Sequence, residues 1–160
     1  MRSAVLLFVT GAFPLVMACS PGSTPPAATI YKPVISLNEM MISVVDANSH
    51  IVWDIEEAPP NTADDWNRLE HAAVTLAASG NLTMMSGNGP KDQQWTEQAD
   101  WMKYSTAVSD AGLAAMQAVR ARDIEAVKKS GDQLVMTCIN CHREYKLDVP
   151  KIWSDHEGHK

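Results

Sequence analysis

Cysteine is scarce in this chain: three cysteines occur in 160 residues, and no structural disulfide is needed to account for them. Positive charge is in the minority too, because 13 lysine and arginine residues face 19 aspartate and glutamate residues, for a net charge of −6 at pH 7. Nucleic-acid binding needs a basic surface patch, and the sequence offers none. A partner guided by charge is therefore expected to be basic.

The sequence also lacks the alternation of apolar and polar residues that marks a half-buried strand, so helices are expected throughout. A hydrophobic run of membrane-spanning length is missing as well, since the apolar stretch 4–17 is shorter than the roughly 20 residues that a bilayer requires. This stretch follows the basic start Met1-Arg2 and closes with the small residue Ala18, which is typical of a secretory signal. We expect residues 1–18 to be a signal peptide.

The junction Val16-Met17-Ala18-Cys19 resembles a bacterial lipoprotein signal, in which the cysteine is lipidated and becomes the first mature residue. Cys19 would then anchor the exported chain to a bacterial membrane, because several acyl chains together give stable attachment. The alternative is ordinary cleavage near this point, which leaves a soluble periplasmic protein. Residues 19–34 are rich in Pro, Ser, Thr and Ala and predict a tether, and residues 148–160 predict a flexible tail.

Helical periodicity between these ends predicts an all-α domain over residues 35–147, arranged as an up-down-up-down antiparallel four-helix bundle. Capping-box spacings mark two helix starts, Ser36 with Glu39 and Thr62 with Asp65. Gly112 lies inside the third helix and indicates either close approach of a neighbour or a local break. The four expected helices run from Ser36 to about Glu57, from Thr62 to Gly80, from about Asp92 to Arg120, and from Asp123 to about Lys146.

The fourth helix carries apolar and small residues at a strict alternation of three and four positions, which is the seam of a left-handed helical bundle. These positions are Ile124, Val127, Gly131, Leu134, Cys138, Cys141 and Tyr145. Both cysteines are therefore expected to face the interior of the bundle.

The five residues Cys138-Ile139-Asn140-Cys141-His142 match a c-type haem attachment site. Two thiols at this spacing can add to the two vinyl groups of one haem, and an imidazole next to the second thiol can bind the iron. A thioredoxin-like dithiol is one alternative, but it requires a strand-helix-strand pattern that is missing. A zinc site with His156 and His159 is the other, although two residues between these histidines is shorter than usual.

A four-helix chain with this single motif on its last helix resembles the class II cytochromes c, the cytochrome c-prime group. Further similarity lies in the ending Arg143-Glu144-Tyr145-Lys146, in Met41-Ile42-Ser43-Val44-Val45 on the first helix, and in Ser79-Gly80-Asn81-Leu82 after the second. The resemblance covers about residues 35–147. It implies one covalently attached haem c between the helices, with His142 as the proximal iron ligand.

The resemblance also implies that a residue of the first helix lies over the opposite face of the haem. Met41 is the expected sixth ligand because its spacing to Val44 and Val45 follows the family pattern, and Met40 is the alternative. Either methionine can instead be a core residue, since methionine fills irregular gaps well. The family's basic residue before this methionine is missing here, where Asn38 and Glu39 stand.

Two histidines, His50 and His71, are further candidates for the sixth ligand, although a lone histidine on a helix is more often a surface residue. Four of the five tryptophans remain to be placed, and the sequence fits both a role in the core and a role in a homodimer face for them. They are Trp53, Trp66, Trp95 and Trp101.

These patterns predict a periplasmic electron carrier rather than an enzyme, with iron under His142 and Met41 ligation and with periplasmic or membrane redox proteins as partners. The alternative function is a five-coordinate cytochrome that binds nitric oxide or carbon monoxide, in which Met41 only packs. A peroxidase would need a distal acid-base pair, and the sequence shows no such constellation.

Overall fold

The computed structural model describes residues 33–145, and this part of the chain is all-α, as predicted. The expected signal peptide, the lipidation candidate Cys19 and the tether up to residue 32 lie outside the described residues. The end of the fourth helix beyond Tyr145 and the whole tail, including His156 and His159, lie outside them too. Within residues 33–145, no helix is both long enough and apolar enough to cross a membrane.

The first helical segment, residues 37–56, begins where the sequence predicts, with Ser36 as the N-cap. Its hydroxyl accepts a hydrogen bond from the Glu39 amide, and the Glu39 carboxylate accepts one from the Ser36 amide, so the capping box is complete. The segment is not one regular helix, which is a difference from the expectation. It consists of α1 (Leu37–Met40), a π-helix (Met41–Asp46), α2 (Ala47–Trp53) and a 3-10 turn (Asp54–Glu56).

The second helix, α3 (Ala63–Thr83), starts with the predicted capping box of Thr62 and Asp65 and ends later than expected. The sequence places its end at Gly80, because glycine commonly terminates helices. In the structure Gly80 is buried and continues the helix, since its bare α-carbon leaves room for the backbone of another helix. Glycine here serves close packing rather than termination.

The third predicted helix is broken into two, α4 (Asp92–Thr96) and α5 (Ala99–Arg120). The break lies at Gln98, whose backbone is extended with φ −93° and ψ 136°. It allows the Trp95 ring on α4 to stack on the Trp101 ring on α5, with 5.3 Å between their centroids. Local periodicity carries no signal for this break, because the cause is a contact between side chains of the two helices.

The fourth helix, α6 (Ile124–Tyr145), confirms the predicted seam. Asp123 caps its start, where its carboxylate accepts a hydrogen bond from the Ala126 amide. A tight turn before it places Arg122 at φ 57° and so reverses the chain after α5. Four residues of the seam are buried, namely Val127, Gly131, Leu134 and Tyr145, and three are partly buried, namely Ile124, Cys138 and Cys141.

The long helices pack pairwise around a shared core. The first helical segment contacts α3 and α6, and α5 also contacts both α3 and α6. Gly80 lies against Ser105 and Ser109, whereas Gly112 lies against the backbone of Leu76 and Ala77, so α3 and α5 run antiparallel. The close-approach alternative for Gly112 is therefore the one that the structure confirms, and the neighbour is α3.

The first helical segment and α6 also run antiparallel. Near one end the Lys128 ammonium lies 3.4 Å from the Glu56 carboxylate, and near the other end Leu37 and Tyr145 share a hydrophobic cluster. The last turn of α6, which carries the Cys-x-x-Cys-His motif, is thereby brought beside the first turns of the chain's first helix. This juxtaposition determines which residues can meet at the candidate site.

Replacing Gly112 with alanine is expected to lower the free energy of unfolding by about 1–3 kcal/mol, the usual cost of overpacking. The added methyl group would meet the backbone of Leu76 and Ala77, which cannot move like a flexible side chain. Urea unfolding followed by circular dichroism measures the change. Ala78→Gly on the exposed side of α3 is the control and should cost only the helix-propensity term of about 1 kcal/mol. A more stable Gly112→Ala protein would contradict the close packing.

Candidate functional site

Two free thiols, those of Cys138 and Cys141, lie on one face of α6 and are partly buried. Cys138 packs against the main core, the cluster of buried residues between the four longest helical segments that includes Val45, Val52 and Leu134. Cys141 packs against a second, smaller cluster. The two thiols of the motif therefore point into two adjoining apolar regions.

The second region, called the aromatic cluster below, is formed by the buried residues Leu37, Met40, Trp101 and Tyr145 with Trp95 and Tyr104 at its edge. The Tyr145 ring meets the Trp101 ring edge-on at 5.0 Å between centroids. Its hydroxyl donates a hydrogen bond to the Gln98 side chain, and the Trp101 indole N–H donates one to the carbonyl of Thr83. Because the polar ends of Tyr145 and Trp101 both have partners, these two rings are held in fixed orientations.

Met41 is the candidate ligand that contacts both apolar regions, since it packs against the main core and against the aromatic cluster. Met40 instead lies inside the aromatic cluster with 8% of its surface exposed, which is the position of a packing residue. The π-helix begins at Met41 itself. Turns of this kind are rare and occur frequently at functional sites.

His142 follows Cys141 on α6 and is exposed. It stands four positions after Cys138, so the imidazole and that thiol are neighbours along one row of the helix. The other two histidine candidates are exposed as well: His50 lies 3.0 Å from the Asp54 carboxylate, and His71 lies on the outside of α3. Both positions fit the ordinary role of a surface histidine.

Burial raises the pKa of both thiols. Loss of solvent is the main cause at Cys138, where the nearby Asp46 carboxylate adds to it, and the pKa is about 11. Loss of solvent also dominates at Cys141, with further contributions from Cys138 and Glu144, and the pKa is about 12. Both groups are neutral thiols at physiological pH, so a reactive dithiol of the thioredoxin type, which needs a lowered pKa, finds no support here.

A groove of about 610 Å³ opens beside Cys141 between α5 and α6. Thr137 and Glu144, which belong to the same row of α6 as Cys141, form part of its wall, and Tyr104 faces them from α5. Lys103 and Arg143 bring two positive charges to its rim. Burial and the neighbouring Glu144 carboxylate raise the pKa of the Tyr104 phenol, which therefore stays neutral.

The donor set of this region fits a c-type haem. It combines two thiols on one helix face, an imidazole beside the first thiol, and a thioether in contact with the apolar regions on which both thiols pack. Among residues 33–145, no group of three or more histidine, cysteine, aspartate or glutamate side chains is arranged to hold a metal ion. Haem iron takes its equatorial ligands from the porphyrin, so the protein supplies only axial ones.

Three features of the site have no signal in the local sequence. They are the π-helix at Met41, the break that stacks Trp95 on Trp101, and the contact between the buried Asp92 carboxylate and the amide of Leu37. All four tryptophans contact the hydrophobic clusters: Trp101 is buried, and Trp53, Trp66 and Trp95 are partly buried. Each of these tryptophans therefore has core contacts, and a role in the core is one of the two roles that the sequence allows.

Comparison with protein-family models, with curated proteins and with solved structures finds no match to this chain. The chemistry of its own side chains is therefore the basis for assigning a function.

The raised pKa values predict slow alkylation of the thiols in the folded chain. At pH 8 a pKa of about 11 leaves roughly a hundredth of the thiolate that the ordinary value of 9.0 gives, so iodoacetamide should react about 100-fold more slowly than with the unfolded chain. Mass spectrometry of samples quenched over time measures the rates. Equal rates with and without urea would contradict the buried position of the thiols.

The same pKa values set a pH dependence of stability. The folded-state pKa lies above the unfolded value, so the stabilising effect is complete below about pH 9 and is lost as the pH rises toward 11. The chain with free thiols should therefore unfold at lower urea concentration at pH 10 than at pH 8. A Cys138→Ser, Cys141→Ser double variant is the control, because its stability should lose most of this dependence.

Proposed function

We propose that this protein is a monohaem c-type cytochrome that transfers electrons. The observation that carries the proposal is the meeting of the Cys-x-x-Cys-His turn of α6 with Met41 of the first helical segment, around two adjoining apolar regions. The two cysteines alone suit several chemistries. A thioether from a different helix that packs against the same two clusters suits haem iron, because methionine and histidine are its usual pair of ligands in electron-carrying cytochromes c.

Each side chain has a distinct role in the proposed site. Cys138 and Cys141 would hold the porphyrin by thioether bonds from α6, and His142 would bind the iron from the same helix. Met41 would bind it from the first helical segment, where a thioether favours the ferrous form and so raises the reduction potential. A haem bound here would supply the iron whose ferric and ferrous states carry the electron. The apolar clusters limit the access of water to it.

We propose that the protein is a carrier rather than an enzyme. If His142 and Met41 both hold the iron of a bound haem, no open place would remain on the metal for a substrate, and the haem would supply electron transfer with little rearrangement of ligands. A gas-binding protein with a five-coordinate iron is the alternative function, and it requires that Met41 only packs. The contact of Met41 with both apolar regions supports the first reading, since its thioether packs against the same two clusters as the two thiols.

The proposal extends to the architecture and the cellular place of the protein. The helix contacts support an up-down-up-down four-helix bundle made of the first helical segment, α3, α5 and α6. The N-terminal sequence supports export to the periplasm with a lipid anchor on Cys19. The negative net charge supports basic periplasmic or membrane redox proteins as partners. Two such bundles would form a homodimer only if they pair through surfaces outside the core.

The decisive test replaces the candidate ligand without opening a cavity. Met41→Leu keeps the volume of the side chain, a change that costs less than about 1.5 kcal/mol, and removes the sulfur. We expect the wild-type holoprotein, produced with haem-attachment machinery, to give a low-spin spectrum that a stoichiometric amount of carbon monoxide leaves unchanged. The Met41→Leu protein should be high-spin and bind carbon monoxide, and its reduction potential should fall.

Met40→Leu is the matched control, because Met40 is the neighbouring methionine and lies inside the aromatic cluster. It should keep the low-spin spectrum. A high-spin Met40→Leu protein beside a low-spin Met41→Leu protein would exchange the roles of the two residues. A wild-type protein that binds carbon monoxide readily would reject the carrier and favour the gas-binding function.

A further inference from the structure

We propose that Asp92 is a positioning residue that holds Met41 at the haem site, although it lies on α4 and contacts neither the Cys138 thiol nor the Cys141 thiol. This inference rests on the proposed function, since it concerns the same methionine. Asp92 adds a second constraint on that ligand. The sequence indicates only a helix start at this position.

Asp92 is a buried carboxylate with 3% of its surface exposed. One of its oxygens, Oδ2, accepts a hydrogen bond of 2.8 Å from the backbone amide of Leu37, which lies 55 positions earlier in the sequence. The same oxygen accepts a second hydrogen bond of 2.8 Å from the amide of Gly89. Burying a carboxylate is costly unless it is well hydrogen-bonded, so this arrangement indicates a specific constraint rather than a chance contact.

The amide of Leu37 is one of the donors at the start of a helix that has no partner within the helix. Asp92 therefore caps α1 from outside, in addition to the capping box that Ser36 and Glu39 provide. One turn further on, the amide of Met41 donates a hydrogen bond to the carbonyl of Leu37. The Asp92 carboxylate is thus connected to the backbone of Met41 by two hydrogen bonds, one made by the amide of Leu37 and one made by its carbonyl.

The loop around Asp92 holds the same short stretch by further contacts. The amide of Asn88 donates a hydrogen bond of 3.1 Å to the carbonyl of Ile35. Gly87 is packed so closely that a side chain there would collide with the Asp92 carboxylate and the Leu37 amide. We call this arrangement, residues 35–37 held by residues 87–92, the clasp.

The clasp matters for the ligand because a π-helix follows it immediately. The first turn, α1, has only the four residues Leu37–Met40 before the wider π-helical turn begins at Met41. A helix of this length is not stable by itself, so its direction depends on what holds it. The Leu37 side chain lies in the aromatic cluster with Tyr145 of α6, three positions after His142, which joins the clasp to the helix that carries the other ligand.

The test compares the holoprotein with its Asp92→Ala variant. Carbon monoxide binds only molecules in which Met41 has left the iron, so its apparent affinity is proportional to that population. Loss of the carboxylate leaves the Leu37 and Gly89 amides without their acceptor, and we expect the apparent affinity to rise about tenfold. Hydrogen exchange in residues 37–46 of the oxidised holoprotein should accelerate by a similar factor relative to α3.

Asp65→Ala is the matched control, because Asp65 also accepts hydrogen bonds from two backbone amides at a helix start, those of Asn61 and Thr62. It should lower the unfolding midpoint without changing carbon monoxide affinity or exchange in residues 37–46. If Asp92→Ala lowers the midpoint and leaves both quantities at the wild-type value, the residue is merely structural and the proposal is wrong.

Two further outcomes are distinguishable. If Asp92→Ala does not fold, Asp92→Asn provides the test, since it keeps an acceptor oxygen and should give the same change with a smaller amplitude. An unchanged affinity in a folded Asp92→Asn protein would then overturn the proposal. A wild-type protein that already binds carbon monoxide without displacing a ligand overturns Met41 ligation itself, and the wild-type spectrum shows this before any variant is made.

Discussion

Burial of the α6 seam against the first helical segment is the interaction on which the rest of the structure depends. The seam places Val127 and Leu134 fully inside the core, and Gly131 allows the backbone at Trp53 to approach closely. At about 25 cal/mol per Å² of apolar surface, burial of such side chains is a major source of stability for a small helical domain. The two cysteines occupy the next positions of the same seam, so the packing that folds the chain also orients the thiols.

The core is divided into two regions, and the candidate site lies at their junction. Aliphatic and small side chains fill the main core, whereas rings fill the aromatic cluster near the last turn of α6. Aromatic rings are large and have few rotamers, so they fix the end of α6 with little loss of conformational entropy. Met41, which contacts both regions, therefore packs against rigid aromatic rings on one side and against densely packed aliphatic side chains on the other.

The helices and the seam follow from local pattern, which is why the sequence predicts both capping boxes, the start of α6 and the buried positions of α6. The site is only partly predictable. Its Cys-x-x-Cys-His motif is continuous in sequence and therefore visible, and the family resemblance predicts Met41 as a ligand. Apolar periodicity does not mark the π-helix or the break at Gln98, where the chain departs from regular helix geometry. The hydrogen bond from the Leu37 amide to the Asp92 carboxylate joins residues 55 positions apart in the sequence. Periodicity within a window of residues has no access to such contacts.

The π-helix limits which sequence changes the first helical segment can accept. Such a turn behaves as a helix with one inserted residue, which rotates everything before it by about 100° relative to everything after it. The stretch before it serves the aromatic cluster, and the stretch after it serves the main core. A single-residue deletion within 41–46 would restore a regular helix at the expense of this phase difference. The extra residue is thus a rotational spacer, which lets one helical segment turn Leu37 and Met40 toward the aromatic cluster and Val45 and Val52 toward the main core.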